Sequence, residues 1–167
     1  MEDFEQEVQE KIPTGANREE LTYKVHHILA HSYTFFFAFL ILGIVLDIIF
    51  KYKIISSPII MYIGFIFLIL STVLIYWAQK TSGNLKTENM TPDTFCKGPY
   101  CYTRVPTHLG LFFMAFGFGL ILNATFVIVT SIVSFVINKF IFLEEEEKIL
   151  EKKYGAPYLE YKNKIKF

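Results

Sequence analysis

Residues 58–78 read PIIMYIGFIFLILSTVLIYWA, an apolar run without a charged side chain. A helix that crosses a lipid bilayer needs about 20 such residues. The run therefore predicts a transmembrane helix. A second run, residues 33–50 (YTFFFAFLILGIVLDIIF), carries a single charge, at Asp47, and predicts another. Together the two runs indicate an integral membrane protein.

A third apolar block, residues 109–143, is too long for one crossing and is interrupted at Leu122-Asn123-Ala124. Each half would give about 25 Å of helix, slightly less than the roughly 30 Å of a hydrocarbon core. We expect a short helical hairpin in which Ala115 and Gly119, four residues apart, allow a neighbouring helix to approach closely. The sequence thus predicts an all-α integral membrane fold with about four transmembrane helices, the last two forming the hairpin.

We expect one domain over the whole chain, in three segments: a loose N-terminus (1–16), an interfacial helix with the first two spans (17–78), and a C-terminal half with a polar loop, the hairpin and a helical tail (79–167). Asn17 and Glu20 have the spacing of a capping box and predict the start of the interfacial helix. The tail should be interrupted by Gly155 in the left-handed conformation, with Pro157 just beyond it. Tyr158 and Tyr161 then share a face of a last short helix.

An even number of crossings places both termini on one side of the membrane. That side would hold all but Lys51 and Lys53 of the sixteen Lys and Arg residues, so we expect it to be cytoplasmic. Cys96 and Cys101 would lie there as reduced thiols. The zero net charge gives no support for nucleic-acid binding, and the four histidines are too few for a histidine-rich diiron site, so no metal is predicted. No segment has the pattern of a signal peptide.

Residues 98–110, GPYCYTRVPTHLG, lie between the polar loop and the hairpin. Arg104 at this membrane edge has two readings: its head group lies among lipid phosphates, or it binds a carboxylate or phosphate through two hydrogen bonds. Pro99 and Pro106 favour the second, because they prevent regular helix on either side and leave backbone groups that need water or a ligand.

The run Glu144–Glu147 follows the hairpin directly. Successive helical residues are about 100° apart, so four carboxylates cannot all face water and at least one must face the helix bundle. Such a carboxylate would suit ribose hydroxyls, an ammonium group or a sulfonium cation.

Together the two stretches resemble paired motifs of one enzyme family. GPYCYTRVPTHLG resembles G-P-Y-x-x-x-R-H-P-x-Y-x-G, and EEKILEKKYGAPYLEY resembles E-E-x-x-L-x-x-x-[FY]-G-x-x-Y-x-x-Y. These are motifs of the isoprenylcysteine carboxyl methyltransferases and the related phospholipid methyltransferases. The resemblance covers the chain from about residue 76 to the C-terminus.

The resemblance implies a membrane enzyme that binds S-adenosyl-L-methionine in a cytoplasm-facing pocket and methylates a lipid or prenylated acceptor. It gives catalytic roles to Arg104, which would hold the acceptor, and to Glu147. It implies that the cofactor is bound by Gly98, Pro99, Tyr100, Pro106, His108, Leu109, Glu146 and Tyr158. The leading prediction is O-methylation of an isoprenylcysteine-type carboxylate, which needs no general base. N-methylation of a phospholipid amine would need a glutamate or His108 to act as the base.

Two positions depart from the motif. The chain has Val105 where the family has histidine, and His108 where it has tyrosine. His108 lies three residues further on, about one turn if this segment is helical, and would supply the donor lost at Val105. The alternatives are a changed ligand, as in an NADPH-dependent membrane reductase of related architecture, and a catalytically silent membrane adaptor.

Overall fold

The structure is a computed structural model that describes residues 15–53, 57–83 and 91–165. Throughout this part of the chain the regular elements are helical. In order they are α1 (Gly15–Phe50), α2 (Pro58–Gly83), the one-turn α3 (Pro92–Phe95), a 3₁₀ turn (Gly98–Cys101), α4 (Pro106–Leu122), α5 (Thr125–Ile137), a π-helical segment (Asn138–Phe142), α6 (Leu143–Tyr154) and α7 (Ala156–Lys164).

Three of the helical stretches are long and apolar enough to cross a membrane: Glu19–Phe50, Pro58–Ser82 and Thr125–Tyr154. The third comprises α5, the π-helical segment and α6 without a break. Helix α4 is apolar but shorter, so a fourth crossing stays a prediction. The outward faces of α1 and α2 expose large apolar side chains such as Ile48 and Ile69, as expected for helices in contact with lipid.

The hairpin between α4 and α5 breaks where the sequence predicts. Asn123 ends α4 in the left-handed conformation, with φ 51° and ψ 43°, and extended Ala124 starts α5. Gly119 lies against α5 so closely that a Cβ added to it would be 2.8 Å from a side-chain carbon of Ile128. The predicted close approach of the two hairpin helices is therefore confirmed at Gly119.

Asp47, the one charge in the apolar run 33–50, caps a helix of the hairpin. Its Oδ1 accepts the backbone N–H of Phe126 at 3.1 Å, and its Oδ2 accepts that of Val127 at 2.9 Å. These N–H groups belong to the first turn of α5, where no carbonyl is available to them and where the helix dipole favours an anion. The contact fixes the end of α1 to the start of α5.

Two boundaries differ from the prediction. Helix α1 already includes Gly15 and runs on into the span, so Asn17 does not start a separate interfacial helix. Helix α2 continues to Gly83, because lysine and the small polar residues after Ala78 allow a helix to continue beyond the membrane edge. Most of the N-terminus expected to be loose, and residues 84–90 of the expected loop, lie outside the described residues.

The last two helices meet at Gly155. Its φ is 65°, but its ψ is −142°, so it adopts the extended glycine conformation and not the predicted left-handed helical one. The resulting kink lets α7 fold back, with Tyr158 and Tyr161 buried on one face as predicted. Cys96 and Cys101 form a disulfide, contrary to the expectation of reduced thiols, because the 3₁₀ turn brings their Cα atoms to 4.4 Å.

In the bundle, α2 packs mainly on α4 and α1 mainly on α5. Small residues permit the first contact, since a Cβ added to Gly117 would lie 2.8 Å from the carbonyl oxygen of Gly64. Helix α1 also contacts α6. A cavity lies between these helices, the segment that precedes α4, and α7.

Candidate active site

An aromatic cluster joins α7 to the segment that precedes α4. Phe95, Tyr158 and Tyr161 form a buried group. The Tyr161 hydroxyl donates a hydrogen bond to the backbone carbonyl of Tyr100 at 2.7 Å. Burial raises the pKa of Tyr161 to about 12 and also raises the pKa values of Tyr100 and Tyr158. All three phenols are therefore neutral near pH 7 and able to donate hydrogen bonds.

Gly98 sets the start of the 3₁₀ turn. Its φ is +56°, and a Cβ there would lie 2.7 Å from Thr81 Oγ1 and 2.9 Å from Trp77 Nε1 of α2. Both the conformation and the space require glycine. Residues 98–105, which precede α4, are called the motif segment. Gly98 packs this segment against α2 and does not itself contact the cavity.

Arg104 forms an ion pair with Glu147 of α6. Arg104 Nη1 lies 2.6 Å from Glu147 Oε1, and the two side chains are only 16% and 7% exposed. The two atoms are close enough for an ion pair but are not aligned as a hydrogen bond, and Arg104 Nε also has no hydrogen-bond partner among the described residues. The guanidinium is therefore held by the Glu147 carboxylate, while the Arg104 side chain also lines the cavity described below.

Lys162 of α7 completes this ion network. Its Nζ lies 2.9 Å from Glu147 Oε2 and 2.6 Å from Glu151 Oε1. Hydrogen bonds to the two carboxylates raise the pKa of Lys162. The network ties α7 to α6 and gives the buried Glu147 carboxylate a cation on each oxygen.

The cavity has a volume of about 430 Å³, in the range of small-molecule sites. Its wall includes side chains of α1, the C-terminal end of α2, the motif segment, α4, α6 and α7. The polar and aromatic lining residues central to the site are Tyr33, Tyr100, Arg104, His108, Glu146 and Tyr158. Of the adjacent carboxylates, Glu146 lines the cavity, whereas Glu147 is buried against Arg104.

His108 is held by polar side chains of other helices. Its Nε2 lies 2.8 Å from Ser32 Oγ of α1, and Ser32 Oγ donates to Asn138 Oδ1 at 2.5 Å. Asn138 Nδ2 in turn donates to the backbone carbonyl of Ser134 at 2.9 Å. All four residues are buried. Asn138 begins the π-helical segment, a type of irregularity often found at functional sites.

The structure brings together some of the predicted site residues and separates others. Those that line the cavity are Tyr100, Arg104, Pro106, His108, Glu146 and Tyr158. Those that do not line it are Gly98, Pro99, Leu109 and Glu147. Glu147 instead positions Arg104, which is a different contact from the one that the resemblance implied.

Sequence reasoning missed Ser32, Tyr33 and Asn138. Ser32 and Asn138 are polar residues at the ends of apolar runs, and polar side chains inside membrane helices commonly mark interhelical contacts. That signal was present in the sequence. The partners of Ser32 were not, since it lies 76 residues from His108 and 106 residues from Asn138.

The sequence model of the phospholipid methyltransferase family matches residues 59–157, more than half of the chain. The match begins at the start of α2 and ends at Pro157, so it includes the whole of the first motif and the second motif up to the residue before Tyr158. No curated protein and no solved structure matches the chain significantly.

Proposed function

Because the chain belongs to the phospholipid methyltransferase family, we propose that it transfers a methyl group from S-adenosylmethionine to a lipid-linked acceptor in the cavity beside Arg104 and Glu146. The observation that carries this proposal is the placement of the two side chains. A carboxylate and a guanidinium line one small cavity, and both come from motifs of the family.

The residues of the cavity fit the cofactor. Glu146 is the carboxylate on the cavity wall, suited to an ammonium group, a sulfonium or ribose hydroxyls. Tyr33, Tyr100 and Tyr158 supply aromatic faces for a purine ring or a cation. S-adenosylmethionine, when bound, would supply a methyl group on a positively charged sulfur. The chain would then orient the reactants and exclude water.

Arg104 would bind the anionic part of the acceptor. Glu147 holds Nη1 of the guanidinium, while the Arg104 side chain lines the cavity in which the acceptor would bind. Glu147 is therefore assigned as a positioning residue and Arg104 as the residue that contacts substrate. For an isoprenylcysteine-type acceptor, Arg104 would hold the carboxylate that is methylated. For a phospholipid it would hold the phosphate, and the head-group amine would receive the methyl group.

The isoprenylcysteine-type carboxylate is the acceptor expected from the sequence, and the phospholipid amine is the second candidate. The family match supports the second, because the matched family is that of the phospholipid methyltransferases. We place the cavity and both termini on the cytoplasmic side, following the distribution of Lys and Arg.

The experiment is transfer of labelled methyl groups by purified protein in vesicles that contain either phosphatidylethanolamine or a farnesylcysteine. We expect labelled methyl groups to be transferred to one of the two acceptors. Arg104→Ala should lower this transfer by a factor of about 100 or more. Lys97→Ala, which removes an exposed charge from the same segment, is the matched control and should retain activity. Equal transfer by Arg104→Ala and the control would refute the role of Arg104. No transfer to either acceptor would favour the reductase or adaptor alternative.

A further inference from the structure

The cluster of Ser32, His108 and Asn138 determines where the protons of His108 lie. Asn138 Nδ2 donates to the Ser134 backbone carbonyl, which only accepts. Rotating the amide by 180° would place two oxygen atoms 2.9 Å apart, so the amide orientation is fixed. Asn138 Oδ1 consequently faces Ser32 and can only accept.

A serine hydroxyl has one proton to donate. Ser32 gives it to Asn138 Oδ1 at 2.5 Å, so its contact of 2.8 Å with His108 Nε2 must be one in which Ser32 accepts. His108 therefore carries a proton on Nε2. In the neutral ring the other nitrogen, Nδ1, has a lone pair, and the described hydrogen bonds include none to it.

This arrangement decides between the two roles that the sequence suggested for His108. One was a hydrogen-bond donor in place of the histidine lost at Val105, and the other was the base for methylation of an amine. Since Nε2 is bound to Ser32 and His108 lines the cavity, the nitrogen left for a ligand is Nδ1, which in the neutral ring accepts a proton and does not donate one.

We propose that His108 is the proton acceptor of this site and that Ser32 and Asn138 are positioning residues that keep its Nδ1 unprotonated. The inference rests on the proposed methyltransferase function. A site with a built-in proton acceptor fits a nucleophile that arrives protonated. A primary or secondary amine head group does so near pH 7, whereas a carboxylate does not.

The proton balance of the step is simple. The ammonium head group gives one proton to His108 Nδ1, and the freed nitrogen lone pair forms the new N–C bond. The C–S bond breaks with its electron pair returning to sulfur. His108 then holds one extra proton, which leaves to water as the next acceptor enters.

Other charged and titratable groups face the same cavity and must be separated from His108. They are His26 and Tyr33 of α1, Tyr100 and Arg104 of the motif segment, Glu146, Lys153 and Tyr154 of α6, and Tyr158 and Tyr161 of α7. The Tyr33 ring centroid is 5.9 Å from that of His108. Glu146 is the rival base, but no described side chain orients it as Ser32 and Asn138 orient His108. It is better suited to attract a cation.

The first test uses nitrogen NMR of the protein labelled at histidine, in detergent micelles and without cofactor. His108→Gln identifies the signal and keeps a donor for Ser32, so it should fold. We expect a His108 ring protonated on Nε2 alone near pH 7. Ser32→Ala and Asn138→Ala should give a mixture of the two neutral tautomers. Thr34→Ala, which removes an exposed hydroxyl bonded within the same helix, should leave the signal unchanged. A ring protonated on Nδ1 in the unaltered protein would overturn the proposal.

The second test measures methyl transfer and cofactor binding in the same variants. With an amine acceptor, His108→Gln should lower kcat about 100-fold or more. Ser32→Ala should lower it about 10-fold, and added imidazole should partly restore activity to His108→Ala. S-adenosylhomocysteine should still bind His108→Gln, with an affinity within about 10-fold of that of the unaltered protein, since at most one hydrogen bond to the ligand is lost.

The outcomes separate this inference from the proposed function. Retained binding of S-adenosylhomocysteine with undiminished amine methylation by His108→Gln would refute the proton-acceptor role and leave the methyltransferase function standing. Methylation of a carboxylate acceptor without methylation of an amine would also refute the proton-acceptor role. Failure of the unaltered protein to bind S-adenosylhomocysteine would refute both.

Discussion

Glu147→Gln is the substitution that most directly probes the ion network behind the cavity. It retains the shape of the side chain but removes a charge that lies 2.6 Å from Arg104 Nη1 and 2.9 Å from Lys162 Nζ. Lys162 keeps Glu151 as a partner and is partly exposed, whereas Arg104 is left buried with no carboxylate. Loss of one member of a buried pair costs about 3–5 kcal/mol. We expect the lower end, about 3 kcal/mol, because the amide oxygen can still accept one hydrogen bond.

The assay is thermal unfolding in detergent. For a chain of this size 1 kcal/mol corresponds to about 2–4 °C, so Glu147→Gln should lower Tm by roughly 6–12 °C. Glu145→Gln makes the same chemical change at an exposed position two residues earlier and should leave Tm within about 2 °C. Equal Tm values for the two variants would refute the reasoning, because they would mean that the buried pair does not exist.

A double substitution tests the same pair by another route. Replacing both Arg104 and Glu147 with Met and Leu removes the buried charges together, which often leaves stability unchanged or higher. We therefore expect Arg104→Met with Glu147→Leu to unfold at a higher temperature than Glu147→Gln alone, and to transfer no methyl groups. A double variant less stable than the single one would contradict the assignment of the cost to an uncompensated arginine.

Three further predictions concern other contacts. Asp47→Ala removes the cap of α5 and should cost about 1–2 kcal/mol in denaturant unfolding, and no loss would contradict the capping role. Lys162→Met should weaken binding of S-adenosylhomocysteine by loosening α7, whereas Lys164→Met, at a more exposed site, should not; equal affinities would contradict this. Native Tyr161, with its pKa raised to about 12, holds its proton more tightly than the unfolded chain, so stability should fall as pH rises from about 10 to about 12. Tyr161→Phe should remove that part of the fall, and an unchanged pH profile would contradict the raised pKa.

The sequence predicts the features that depend on local pattern. The break at Leu122–Ala124 follows from a run too long for one crossing, and the short last helix follows from Gly155 and Pro157. A glutamate facing the bundle follows from helical geometry alone. Helical geometry does not identify that glutamate, because the π-helical segment Asn138–Phe142 adds roughly one residue to a turn and rotates everything after it. Only the resemblance to the family motif singled out Glu146 and Glu147.

The features that the sequence did not predict depend on partners far along the chain. Asp47 and its two N–H partners are 79 and 80 residues apart, and Ser32 and Asn138 are 106 residues apart. Polar side chains in apolar runs indicate that some partner exists, but only the packing of α1 on α5 and α6 identifies it. The same packing places Glu146 on the cavity wall and Glu147 in the ion pair with Arg104.

The central claim is that the cavity between Arg104 and Glu146 binds S-adenosylmethionine. The most direct measurement is calorimetric titration of the purified protein with S-adenosylhomocysteine, with NADPH as a second ligand. We expect saturable binding of S-adenosylhomocysteine and none of NADPH. We also expect an affinity about 10-fold lower or more for Glu146→Gln, with Glu145→Gln unchanged. No binding, or equal binding by the two variants, would contradict it.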